Sequence, residues 1–269
     1  MAQDALVPVS FARHGQRYWR RFTSYQFAAA DTDCAIVLEE VTQIAAAFPI
    51  LFKQVKDRIE PRAIFSLSPA ASNPFVSWDG QWMAAYVPSA LRCHPFSAQR
   101  LNQNETFGKP QLRLAVDEST GFVTDDPRNE AFFDESGALS PALRKVQTFL
   151  KTCTAADSAT ASICQKIHSL GLFEPVEKYD GIALPPGSLR ISAERLIQLS
   201  QNQKLELLEA GAFLMIHSHQ VSLSHCAWLY RAQHQGSGQE KYTEYSDISG
   251  FLTAIANAQS DVILGTERV

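Results

Sequence analysis

The stretch HSHQVSLSHC, residues 217–226, gathers three histidines and a cysteine, donor types that hold zinc or iron in proteins. A two-histidine metal site on a helix needs i, i+4 spacing so that both imidazoles share a face. Here the residues four positions after His217 and His219 are Val221 and Leu223. At 100° per residue, His219 points about 160° away from His217 and His225 about 80° away, so one helix cannot make the three converge. As a strand, His217 and His219 would share a face. Leu208, Ala212, Met215, Ile216, Leu223, Ala227 and Tyr230, however, keep helical phase across the segment. The expectation is a helix with polar, partly buried histidines and no metal. The alternative is a metal-dependent enzyme, oxygenase- or hydrolase-like, using the histidines of residues 217–225.

A second cluster, RHGQRYWRR, places Arg13, His14, Arg17, Arg20 and Arg21 around Tyr18 and Trp19. Such interleaving serves phosphate contact with stacking. It serves equally to pair arginines with acids and lay guanidinium groups on aromatic faces. The formal net charge of −4 favours the second use and provides no global field for a nucleic-acid backbone. A third cluster surrounds Asp79-Gly80, where Trp78, Trp82 and Tyr86 flank a strong turn signal. Arg13, Arg17, Trp19, Arg20, Arg21, Trp78, Trp82 and Tyr86 are therefore the candidate binding residues, and a peptide or protein is the expected partner. Buried packing of the aromatic hairpin is the competing reading.

Other chemistries find no pattern. Asp117-Glu118, Asp125-Asp126 and Asp134-Glu135 lack the alternating ligands and central glycine of a calcium loop and read as turns. There is no nucleophile elbow and no phosphate-binding glycine loop. The adjacent pairs Cys93-His94 and His225-Cys226 diverge in either helix or strand. No catalytic residue and no cofactor are assigned.

The elements that must position these residues follow from periodicity. Asp33 is expected to cap a helix through Ala47, stopped by Pro49 and followed by a strand at ILF. AIFSL and FVSWDGQWMAAYV give a strand and a hairpin with Asp79-Gly80 at its tip, and QLRLAV pairs with FVT across DESTG as a second hairpin. Ser140 and Pro141 start a helix that runs to Leu170 and stops at Gly171. Further helix fills SAERLIQLS and residues 203–235, bent near Gly211, with a loop or short strand at DGIALPPG before it. The fold class is α+β: an antiparallel sheet built from hairpins in the N-terminal half, packed by helices mainly from the C-terminal half. Residues 1–235 form one domain, and 236–269 a polar tail after the GSG linker.

Length and composition agree with a globular protein: 269 residues, 45% apolar and 19% charged. The five cysteines are odd in number, scattered and never in CxxC spacing, which points to a reducing compartment. The N-terminus has an acidic residue and a proline where a cleavable signal needs a basic start and an apolar run. No apolar run reaches the roughly 20 residues that span a bilayer. A cytoplasmic location without membrane insertion follows as the expectation, with surface association through signal-independent export as the alternative.

Six stretches in fixed order, LVPVSFARHG, FAAADTDCAIVLEEVTQIAAAFPILFK, WDGQWMAAYVPSALRCHPF, LAVDESTGFV, FFDESGALSPALRKVQTFL and IHSLGLFEP, resemble the bacterial SapC family. The family is named from a locus that makes and exports a surface-array protein. Other members lie beside genes for outer-membrane receptors and flavin-dependent halogenase-like enzymes. The resemblance implies an accessory or structural role in a surface-layer, export or uptake system, and it carries no catalytic residues to this chain.

Overall fold

The computed structural model describes residues 6–100 and 112–234. The expected polar tail and its linker lie outside the described residues. In chain order the first half carries Leu6–Pro8 (β1), Phe11–His14 (α1), Tyr18–Trp19 (β2), Asp33–Ala35 (β3), Val41–Ala45 (α2), Ile50–Val55 (β4), Arg58–Ile64 (β5), Ser89–Arg92 (α3), Phe96–Arg100 (β6), Leu112–Asp117 (β7), Val123–Thr124 (β8) and Glu130–Ala131 (β9). The second half carries Pro141–Ser169 (α4), Phe173–Pro175 (β10), Lys178–Tyr179 (β11), Ile182–Ala183 (β12), Ser188–Ile191 (β13), Ala193–Gln198 (α5), Gln201–Glu209 (α6), Ala212–Ser222 (α7) and His225–His234 (α8). This is an α+β fold whose strand pairs among the described residues are all antiparallel. The largest sheet has the order β10-β13-β4-β5-β3, so strands that follow α4 join those of the first half.

Two hydrophobic cores organise the described residues. One is built on Ile44, Phe48, Ile50, Phe52 and Phe65, the other on Trp19, Phe96, Val116, Phe132 and Leu143. The 29-residue α4, about 43 Å long at 1.5 Å per residue, serves both. Leu143 from its first turn lies in the second core, while Ile163, Cys164 and Ile167 from its last turns lie in the first. The Ser140 hydroxyl accepts from the Leu143 N–H at 3.2 Å, and Pro141 occupies the first turn, as the sequence predicts. Among the described residues no helix is long and apolar enough to cross a membrane.

Three expectations are corrected. Residues 33–47 are not one helix: Asp33 opens the edge strand β3, and only Val41–Ala45 is α-helical. The Asp33 carboxylate, expected to cap, is taken across the sheet by Lys53 at 2.7 Å and Arg62 at 2.6 Å. Arg62 continues to Glu60 at 3.3 Å, Glu60 to Arg58 at 2.6 Å, and Arg58 to Asp157 on α4 at 3.0 Å. This chain of ion pairs ties the sheet to the long helix. Second, QLRLAV does not pair with FVT. β7 lies between β1 and β6, and β8 pairs with β2, because the turn capped by the Asp117 carboxylate redirects the chain to the other sheet.

Third, the strong hairpin in this region is β4–β5, whose six paired positions run from Ile50↔Ala63 to Val55↔Arg58. Its turn holds Lys56 at φ 55°, without the Asn-Gly or Asp-Gly signal that marks such turns in a sequence. The turn at Asp79-Gly80 does form, but its flanks meet only through the Val76↔Trp82 bridge.

Gly80 sits at φ +83°, and a Cβ there would lie 1.8 Å from the Ser24 Oγ and 3.0 Å from its Cβ. The hydroxyl can rotate away, but the backbone strain remains. Gly80→Val is expected to lower the unfolding free energy by about 2–3 kcal/mol in denaturant titrations. An unchanged midpoint would remove this turn from the structural determinants. Gly211, at φ +68°, separates α6 from α7 and makes the bend expected in the C-terminal helices.

Candidate binding surface

The N-terminal arginines divide into two groups. Arg13 closes on Glu118 with Nε donating at 2.9 Å and Nη2 at 2.6 Å, and buried His14 reaches the same carboxylate through Nε2 at 3.1 Å. The Arg13 hydrogen bond, with help from His14, holds the Glu118 carboxyl down at about 2. Arg17 Nε lies 2.9 Å from Asp125, a charge contact whose N–H is not aligned for a hydrogen bond. These two arginines fasten the N-terminal segment to the turns after β7 and β8.

Arg20 and Arg21 face outward. The Arg20 guanidinium lies 5.3 Å from the Phe122 ring centroid, with no carboxylate partner among the described residues. Arg21 lies 5.5 Å over Trp19 and 3.4 Å from Glu130. Trp19 itself is core, 3% exposed, and in the sequence nothing distinguishes it from its exposed neighbours. With Arg128, Asn129 and Glu130 these residues line an open depression of about 400 Å³.

The aromatic cluster also divides. Trp78 is 92% exposed at the tip of the turn. Trp82 turns inward, its ring 5.6 Å from Phe65 and 6.2 Å from Phe75, and its Nε1 donates to the Tyr86 carbonyl at 2.8 Å. The Tyr86 hydroxyl donates to Glu40 at 3.0 Å while Arg92 covers its ring at 4.7 Å. Burial, then the Glu40 charge, pushes this phenol up to about 12. Glu40 is buried and accepts also from the Val37 N–H at 3.2 Å and from the Ser89 N–H and O–H, each at 2.8 Å. Trp82, Tyr86 and Glu40 thus hold the segment that presents Trp78.

The two exposed groups belong to one region. The Tyr25 N–H donates to the Gly80 carbonyl at 2.7 Å, and the Tyr25 ring meets Trp82 at 5.5 Å. Ser24, which touches Gly80, follows Arg21 by three residues, a span of at most about 11 Å.

The histidines of residues 217–225 part in three directions. His219 is fully buried. Its Nδ1–H donates to the Ile50 carbonyl at 2.7 Å, and its Nε2 accepts from the Ile191 N–H at 3.2 Å. Both ring nitrogens are therefore committed, and burial pulls the pKa down to about 4. His225 Nε2 donates to the Ala45 carbonyl at 3.0 Å, and exposed His217 stacks on Phe213 at 5.7 Å. The described residues contain no group of three or more histidine, cysteine or acidic side chains arranged for a metal ion. Cys93 and His94 diverge: burial pushes the thiol up to about 12, while the imidazole stacks on Phe27 at 3.9 Å.

The role of His219 has a sequence signal. It continues the stripe of Ala212, Met215 and Ile216, all buried, at i, i+3, i+4, i+7 spacing.

A family model for SapC matches residues 9–229. The chain belongs to the SapC family. The matched span reaches from the N-terminal arginines to α8, so both exposed groups lie within the SapC region. No curated protein and no solved structure matches this SapC-family chain significantly.

Proposed function

We propose that this SapC-family chain is a non-enzymatic accessory protein of a bacterial surface-layer, export or uptake system, recognising a peptide or protein partner. The observation that carries the reading is Trp78, a tryptophan 92% exposed on a turn braced from beneath by Tyr25, Trp82 and the Glu40 cluster. Folding gains nothing from a large aromatic side chain left in water, whereas recognition gains a rigid anchor with little entropy to lose. Arg20, without a carboxylate partner among the described residues, and Arg21 on the neighbouring segment supply the polar side of such a surface. All five cysteines are free thiols, which suits a reducing compartment such as the cytoplasm.

The reading is tested by capturing partners from the native organism on the immobilised full chain. Trp78→Ala is expected to weaken capture of a specific partner by about 30-fold, a loss of about 2 kcal/mol. The joint change Arg20→Ala with Arg21→Ala weakens it as well, and circular dichroism stays unchanged in both. Trp82→Ala is unsuited because its ring is packed. Undiminished capture by both fold-preserving variants overturns the surface, and turnover of a defined small molecule by the pure protein overturns the class.

A further inference from the structure

The two hydrophobic cores do not close completely on each other. Between them lies an open-mouthed cavity of about 290 Å³. Ile36 from the first core forms one wall, and Phe96 and Leu150 from the second form another. Of its polar lining, the Ser89 hydroxyl is committed to Glu40 at 2.8 Å and the Thr154 hydroxyl to the Leu150 carbonyl at 2.9 Å. Ser97 contributes a buried hydroxyl that finds no partner among the described residues. Cys153 contributes a half-buried thiol, and Asp157 a carboxylate held by Arg58 at 3.0 Å and 3.2 Å. Among the described residues no lysine, arginine or histidine lines it.

We propose that this cavity binds a small, uncharged, largely apolar molecule of about ten to twelve non-hydrogen atoms bearing one hydrogen-bonding group. The size follows from comparison: a dry cavity of about 150 Å³ takes up benzene, and this one has about twice that volume. The apolar walls reward burial of the molecule's hydrocarbon surface. Among the described residues no cationic side chain lines the cavity, and Arg58 is already paired with Asp157, so an anion entering it would lose its hydration without a partner charge. The Ser97 hydroxyl, without a partner among the described residues, is available to one polar group. Burial, then the charge of Glu40, raises the Cys153 thiol above its ordinary value, so it lines the site in its protonated form and is not an activated nucleophile. Val37 and Ser89, which line the cavity, also donate to Glu40, but the proposed site does not require Trp78 to be a binding surface.

The test uses the full-length protein, 2-naphthol as the neutral probe and 2-naphthoate as its anionic counterpart. Titration followed by probe fluorescence is expected to show saturable one-to-one binding of 2-naphthol, with 2-naphthoate weaker by about tenfold or more. Cys153 is the one thiol of the five that is not buried, so methyl methanethiosulfonate reacts with it first. At a 2-naphthol concentration about four times Kd, that reaction slows about fivefold. Ala98→Leu, or Cys153→Leu should the former disturb the fold, fills the space and weakens binding by about tenfold. The proposal is overturned by absence of saturable binding, by equal affinity for the two probes, by unprotected Cys153, or by full affinity in a folded cavity-filled variant.

Discussion

Replacing His219 by alanine is expected to lower the unfolding free energy by about 3–5 kcal/mol and to flatten its dependence on pH between 7 and 5. The register of β13 on β4, Ser188↔Lys53 and Leu189↔Phe52, continued by two residues, brings Ile191 opposite Ile50. The direct hydrogen bond is missing there, and the imidazole stands in its place, bonded to the Ile50 carbonyl and the Ile191 N–H. One turn further along α7, the Ser222 hydroxyl accepts from the Ile50 N–H at 2.9 Å. Truncation to alanine strands two buried backbone groups, at about 1–3 kcal/mol each, and leaves a cavity against Phe52, whose ring lies 5.2 Å away.

The same bonds fix the direction of the pH effect. Nε2 accepts from an N–H, so a proton placed on it would face another donor, and burial opposes the charge as well. The folded pKa of about 4 lies below the ordinary value near 6.5. The unfolded chain therefore binds the proton more readily. The contribution is fully present above about pH 6.5 and is lost as the pH falls toward 4, amounting to about 2 kcal/mol by pH 5. His14 and His94 are also lowered by burial, so the measurement is the difference between wild type and His219→Ala across the range. Equal slopes for the two proteins would refute the assignment.

Glu40→Ala is expected to cost a further large amount, about 3–5 kcal/mol, because four donors converge on that carboxylate and all lose their acceptor at once. Glu40→Gln keeps the shape but turns an amide NH₂ toward donors, so about half the loss is expected. Tyr86→Phe removes one donor and costs about 1 kcal/mol. A second readout separates this role from general packing. The Tyr86 phenol, pushed up to about 12 by burial and by the Glu40 charge, titrates lower in Glu40→Gln by absorbance. A loss under about 1 kcal/mol in Glu40→Ala, or an unmoved tyrosine titration, would show that the carboxylate does not anchor the segment carrying Trp78.

Local chemistry made several elements legible in the sequence alone. The Ser140-Pro141 start and Gly171 end of α4 and the break at Gly211 depend on a few adjacent residues, and so does the failure of i, i+4 spacing among the histidines. The α+β class followed from where period-two and helical patterns lie along the chain. The SapC resemblance came from ordered stretches that a family model also matches. Partner choice was not legible in the same way. β7 pairs with β1 and β6 rather than with β8, since alternation shows that a strand has a buried face but not which backbone edge meets it.

The same limit applied to the candidate site. Arg13, Arg17, Arg20 and Arg21 are alike in sequence, and only the tertiary structure brings Glu118 and Asp125 to the first two, over a hundred positions away. Trp78 and Trp82 are four residues apart. One is solvated and the other packed against Phe65, because the Gly80 turn and its contact with Ser24 and Tyr25 set which way each ring points. Residue types and short spacings determined the local elements of this protein and which chemistries it lacks a motif for. Burial, charge pairing and exposure were decided by long-range contacts, whose energies depend on neighbours that the local sequence does not specify.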